Sequence, residues 1–250
     1  MAESSPKDDG RFPTTAWTLV ERLKNSDTKV STRALNDLCA QYHYPLYSFI
    51  RWRGVSHHDA EDVLHNFMAK LLRLNAFQNL DEDKGRLRTF LVRSLDRFLI
   101  SHHHRENRRE AREVLAEDLC LVLGPELEQR YQAEASPASL GPDVMFDRRW
   151  CAELLTRVLR TLEVEFSDKG KAAVFRVLRP VLLTGGSLRG HDAAAMAASL
   201  EMSQEALRTT LLRMLREYRV LLREEVRQTV GSNEDVDAEL QHLMQVVSQT

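Results

Sequence analysis

Apolar residues recur every three or four positions along most of the chain, and alternation every second residue is nearly missing. The pattern predicts a succession of amphipathic helices. Ala16, Val20 and Leu23 mark a short one after Pro13-Thr14-Thr15. Leu35, Leu38, Cys39, Tyr42, Leu46, Phe49 and Ile50 mark a longer one, with Pro45 inside it as a candidate kink. Ser56-His57-His58-Asp59 reads as a capping box. The helix it opens carries Ala60, Val63, Leu64, Phe67, Met68, Leu71 and Leu72 on one stripe and Glu61, Asp62, His65, Asn66 and Lys70 on the other. A polar loop, 75–86, leads to a helix with Phe90, Leu91, Ser94, Leu95, Phe98 and Leu99 inward, which runs into His102-His103-His104-Arg105.

A second helical block begins near Asp143. Trp150, Leu154, Leu155, Val158, Leu162 and Phe166 share one face, and Val174, Val177, Leu178, Val181 and Leu182 share the next. Gly185-Gly186 and Gly190 interrupt the pattern. A short helix from Asp192 to Leu200, a tight turn at Glu201-Met202 and a longer helix capped by Ser203 and ending near Arg227 follow. The tail places Val236, Leu240, Leu243 and Val247 on one side and is expected to fold back on the second block or to bind a regulator. The fold class expected is all-α, with no Asn-Gly or Asp-Gly hairpin signal against it.

Charge divides the chain where hydropathy does not. The net charge is -2, yet residues 84–112 hold nine Lys/Arg against three acids, net +6, and residues 113–147 hold one Arg against eight acids, net -7. The second stretch contains Ser136-Pro137 and Gly141-Pro142, which is linker chemistry. The organisation expected is a disordered 1–12, a first helical domain 13–112, an acidic linker 113–147, a second helical domain 148–229 and an acidic tail 230–250. Cys39, Cys120 and Cys151 are isolated among apolar neighbours and read as buried thiols of a reducing, cytoplasmic protein. No secretory signal or membrane-spanning run is seen.

The short helix, turn and capped longer helix form a helix-turn-helix layout. After Ser203, one arc holds Leu207, Leu211, Met214, Leu215, Tyr218 and Leu222; the opposite arc holds Arg208, Thr209, Arg213, Arg216, Arg219 and Arg223. An apolar stripe anchors such a helix and leaves arginines for phosphates and base edges, though a charged face is also what any solvated helix shows. Adjacent residues of a helix point about 100° apart, so His102, His103 and His104 cannot converge on one ion. Trp17 and Trp52 read as core residues before base-stacking ones. No nucleophile–base pair, phosphate loop or HExxH pattern is present, so no catalytic, cofactor or metal site is expected.

Asp59-Ala60-Glu61-Asp62, Phe67-Met68, Leu71-Leu72 and Gly85-Arg86-Leu87-Arg88-Thr89-Phe90-Leu91, in that order, resemble the first conserved domain of extracytoplasmic-function (ECF) sigma factors. The stretch from Trp150 to Thr229 resembles their second, and Phe12-Pro13-Thr14-Thr15-Ala16-Trp17 resembles a subgroup common in planctomycete-like bacteria. The resemblance covers most of residues 12–230. It implies a sigma region 2-like bundle and a sigma region 4-like helix-turn-helix domain. Glu61, Asp62, His65 and Asn66 would bind core RNA polymerase. Asn79, Lys84, Arg86, Arg88, Arg93 and Arg97 would hold the melted −10 strand around a flipped base. Ser203, Gln204, Arg208, Thr209, Arg213 and Arg216 would read the −35 element, and the acidic segment would thread towards the polymerase active-site channel.

The chain departs from the family pattern at several of these positions. His65 and Asn66 stand where Gln and Glu are frequent, Arg97 where Asn is, and Glu201 where Gly is; Leu212, Leu215 and Glu217 replace His or Arg. Leu212 falls within the arginine arc, where a covering protein partner is expected. The function implied is promoter recognition and strand opening with core polymerase, by a monomer restrained by an anti-sigma or other inhibitory protein. Free protein is expected to bind DNA weakly, with the acidic linker folded over a basic surface. A stand-alone, dimeric helix-turn-helix regulator and a sigma-fold scaffold or signalling protein are the alternatives, and a metal-dependent nuclease is a more distant one.

Overall fold

The computed structural model describes residues 16–25, 28–73, 76–78, 80, 86–106, 126–134, 141–230 and 235–248. Ten helices account for the regular structure of these residues, and no strand occurs among them. In chain order they are α1 (Ala16–Leu23), α2 (Thr28–Trp52), α3 (His57–Arg73), α4 (Leu87–Glu106), α5 (Glu126–Ala133), α6 (Pro142–Asp168), α7 (Ala172–Leu183), α8 (Ala193–Ser199), α9 (Gln204–Arg227) and α10 (Asp235–Ser248).

The chain forms two compact units. The first comprises the described residues of Thr14–Leu154 and Val226–Thr250, and the second comprises Leu155–Glu225. The division falls inside α6 and α9 rather than in the acidic stretch 113–147.

In the first unit α2 is the central element, packed by α1, α3 and α5. Leu35, Leu38, Tyr42, Leu46, Phe49 and Ile50 are buried on it, and the helix continues through Pro45. Serine caps α3 as expected. Ser56 Oγ accepts from the Asp59 amide at 3.2 Å, while the Asp59 carboxylate accepts from the Ser56 hydroxyl at 2.6 Å instead of turning to a backbone amide. Phe67 of α3 and Phe98 of α4 meet with ring centroids 5.7 Å apart.

The described residues of the acidic stretch are largely helical. Glu128 of α5 is bound by Arg51 and by the Tyr47 hydroxyl. Glu134 accepts from the Tyr44 hydroxyl at 2.9 Å and pairs with Arg149. Composition marks such acids as solvated spacer, but opposite charges waiting on α2 and α6 turn them into packing residues. The expected disordered residues 1–12 lie outside the described residues.

The C-terminal helix α10 joins this first unit, where the sequence led us to expect it to fold back on the second block or to bind a regulator. Val236, Glu239, Leu243 and Val246 form its buried side, and Val247 is exposed. The sequence-based stripe ran through Val247 because hydropathy assigns a glutamate to solvent. The carboxylate has partners inside, which rotates the buried arc onto it.

In the second unit Val158, Leu162 and Phe166 of α6, Phe175, Leu178 and Val181 of α7 and Leu207, Leu211, Met214 and Leu221 of α9 are buried, and the Phe166 and Phe175 rings meet with centroids 6.3 Å apart. Leu221, not Leu222, is the fully buried residue of that pair. Asp192 caps α8 by accepting from Ala195 N at 2.9 Å, and Ser203 caps α9 by accepting from Ala206 N at 3.1 Å. Between them Glu201 takes a left-handed φ of 54°.

Candidate nucleic-acid interface

Three surfaces carry the residues singled out in the sequence. On α3, Asp62 and Asn66 are exposed and Glu61 and His65 are half-buried, all on the side away from Val63, Leu64, Phe67 and Met68. Their spacing follows from the helix period, and the buried stripe fixes which way the acidic pair faces.

The basic residues of α4, together with Arg86 just before it, separate into two groups. Arg93 and Arg97 are exposed, and Arg97 Nε donates to the Arg93 carbonyl at 3.2 Å. Arg86 and Arg88, by contrast, are engaged by acids of the same chain. Arg88 is only 5% exposed. Its Nε lies 3.3 Å from Asp147 Oδ1, its Nη2 donates to Glu239 Oε2 at 3.3 Å, and its guanidinium lies over the Trp150 ring at 4.7 Å. Burial pulls the Arg88 guanidinium below the usual arginine range, and Asp147 opposes that effect. Arg86 Nη2 lies 3.0 Å from the same Glu239 carboxylate.

Arg88 is thus an interior cation in this structure rather than a surface contact for a strand. The Trp150 face receives its guanidinium, and two carboxylates make the charge tolerable there. Asn79 and Lys84 lie outside the described residues. Beside the arginine cluster is a cavity of about 240 Å³ whose lining includes Arg86, Arg88, Arg93, Asp143, Asp147 and His242.

On α9, Gln204, Arg208, Thr209, Arg213 and Arg216 are exposed along one face. Ser203 is exposed too, but its hydroxyl oxygen is used at the helix cap. Leu212 is 68% exposed and Val220 is 63% exposed on the same side as the arginines. Glu217, a departure noted in the sequence, accepts from Lys169 Nζ at 3.1 Å. That contact raises the lysine above its ordinary range, first through the hydrogen bond from Lys169 to Glu217.

Sequence reasoning missed Glu239, Asp147 and Trp150 as the surroundings of Arg88. The available signal was a lone Glu placed between Val236 and Leu243 at helical spacing, an acid in line with a buried stripe. The side chains of Trp17 and of His102, His103 and His104 lie outside the described residues, and Trp52 is half-buried. Cys39 and Cys151 are buried, and burial pushes their thiols up to about 12 and about 11. Cys120 lies outside the described residues. No described helix is long and apolar enough to cross a membrane.

Residues 38–110, which span α2 from its middle through α3 and α4, match the family described as Sigma-70 region 2. Comparison with curated proteins and with solved structures gave no match.

Proposed function

We propose that this chain, with its Sigma-70 region 2 domain over residues 38–110, is a sigma factor of the extracytoplasmic-function type that directs core RNA polymerase to promoters and assists strand opening. The family match carries the reading, and the exposed acids of α3 support it. Asp62, with Glu61, His65 and Asn66 beside it, docks on the polymerase through charge complementarity. Arg93 and Arg97 of α4 hold the backbone of the opened −10 strand, joined by Asn79 and Lys84 of the preceding loop and by Arg86 and Arg88 once these are uncovered. The capped helix α9 reads the −35 element with Gln204, Arg208, Thr209, Arg213 and Arg216, its N-terminus adding partial positive charge for a phosphate. The function needs no chemistry of the chain's own and no cofactor. The setting this reading implies is the bacterial cytoplasm, with an inhibitory protein holding the free monomer.

A pull-down against purified bacterial core RNA polymerase tests the reading, with Asp62→Arg as control. Stoichiometric capture that the charge reversal abolishes is the expected result. A folded chain that is not captured overturns it.

One observation favours a second reading. Leu212 and Val220 expose apolar surface amid the arginines of α9, which suits a sigma-fold interaction protein whose α9 meets a protein rather than DNA. That reading expects no promoter-specific transcription with core enzyme.

A further inference from the structure

The α4 face that would meet a nucleic-acid strand is held by the chain's own C-terminal helix. Glu239 is 0% exposed and faces both Arg86 and Arg88. Three positions on, His242 Nε2 lies 3.0 Å from Asp147 Oδ2. Val236, Leu243 and Val246 seat the same side of α10. A carboxylate loses its hydration on full burial, so it goes inside only where cations receive it. A carboxylate and a backbone phosphate present similar paired oxygens to a guanidinium.

We propose that α10 competes intramolecularly with single-stranded DNA: the Glu239 carboxylate occupies the place of a backbone phosphate at Arg86 and Arg88, and the strand reaches them only when α10 leaves. This rests on the sigma-factor reading for the identity of the strand. The acidic cover over the basic surface is then shared: Asp147, at the end of the segment 113–147, lies against Arg88, and α10 adds Glu239, while Glu128 and Glu134 pair with Arg51 and Arg149. Two features make α10 releasable. It is a single helix of 14 residues, and much of its grip is ionic and therefore open to competition by another polyanion. The cavity of about 240 Å³ beside the pair, also lined by Arg93, gives an incoming phosphate a first foothold.

The test measures fluorescence anisotropy of a labelled single-stranded DNA oligonucleotide at low salt, with the full chain and its Glu239→Gln variant. Binding at least about tenfold tighter in the variant, with the gain lost in Glu239→Gln/Arg86→Ala, is the expected result. A folded Glu239→Gln chain that binds no tighter than the parent overturns the proposal. Should the variant not fold, hydrogen exchange on the parent chain decides. Amides of 235–248 exchange faster when the oligonucleotide is saturating if α10 is displaced, and unchanged or slower exchange overturns the proposal. Capture of the parent by core polymerase, run alongside, separates the two ideas. Capture without a gain in the variant removes the competition and leaves the sigma reading, whereas a gain without capture removes the sigma reading.

Discussion

Arg51 and Glu128, 77 positions apart, meet as a two-point ion pair: Nε donates to Oε2 at 2.9 Å and Nη2 donates to Oε1 at 2.8 Å. The Tyr47 hydroxyl donates to the same carboxylate at 2.6 Å and Gln132 Nε2 at 2.9 Å. Every acceptor site of Glu128 faces a donor, so the acid fastens α5 to α2. Glu128→Ala leaves a guanidinium and a phenol without their acceptor and is expected to lower unfolding free energy by about 2–4 kcal/mol. Urea denaturation measures it. A loss near that of an exposed ion pair, below about 0.5 kcal/mol, would show that the pair holds nothing.

Acid should weaken the fold in two stages. His43 is lowered from 6.5 to about 4, first by burial and then by the nearby His65. Its folded value lies below its unfolded one, so its contribution is complete above pH 6.5 and declines as pH falls towards 4. The size is about 3 kcal/mol by linkage. Glu128 is lowered from 4.5 to about 2, first by its hydrogen bonds from Arg51. Its contribution is complete above pH 4.5 and is lost as pH falls towards 2. Unfolding free energy measured from pH 7 to 3 should show both limbs, and His43→Leu should flatten the upper one alone.

Gly186 and Gly190 both have positive φ, at 75° and 85°, but their surroundings differ. A Cβ on Gly186 would lie 2.6 Å from Leu215 Cδ2, whereas one on Gly190 would meet nothing within 4 Å. Gly190→Ala should cost about 1 kcal/mol of backbone strain, and Gly186→Ala about 1–2 kcal/mol more as Leu215 is displaced. Equal losses by thermal denaturation would show that Leu215 gives way without cost.

Glu201, at φ 54°, holds a conformation that suits glycine better. Glu201→Gly should therefore stabilise the chain by about 0.5–1 kcal/mol, whereas Ser203→Ala, two residues on, should destabilise it by about 1 kcal/mol through loss of the α9 cap. Opposite shifts in melting temperature are the expected result, and a destabilised Glu201→Gly would mean the glutamate side chain contributes more than the strain.

Cys39 and Cys151 should resist a thiol reagent such as DTNB in the native state, since burial raises both thiols and closes access to them. Mass spectrometry of the modified chain locates any label, and rapid native labelling of either residue would contradict their burial.

The legible parts of the fold were those decided by local chemistry. Ser56 and Ser203 announce their helices because a cap is satisfied within three residues, and the turn at Glu201 lies just ahead of the second. The α3 face, and the α9 face up to Met214, could be drawn from the helix period alone; beyond it Leu221 is buried where the period suggested Leu222. Glu128, Glu134 and Glu239 could not be placed, because what buries each is a cation far away in sequence. For the same reason Arg88 read as a surface contact. It stands in a basic stretch of the chain, whereas its partners in space, Asp147 and Glu239, are acids.

The first unit takes its last helix from beyond the whole of the second. A ribosome making this chain must therefore translate Leu155–Glu225 before it can supply Glu239, 151 residues after Arg88. Domains otherwise tend to fold in the order they emerge. Here the earlier unit is the one completed later, and until then its arginine cluster stands without the glutamate, open to any polyanion near the nascent chain.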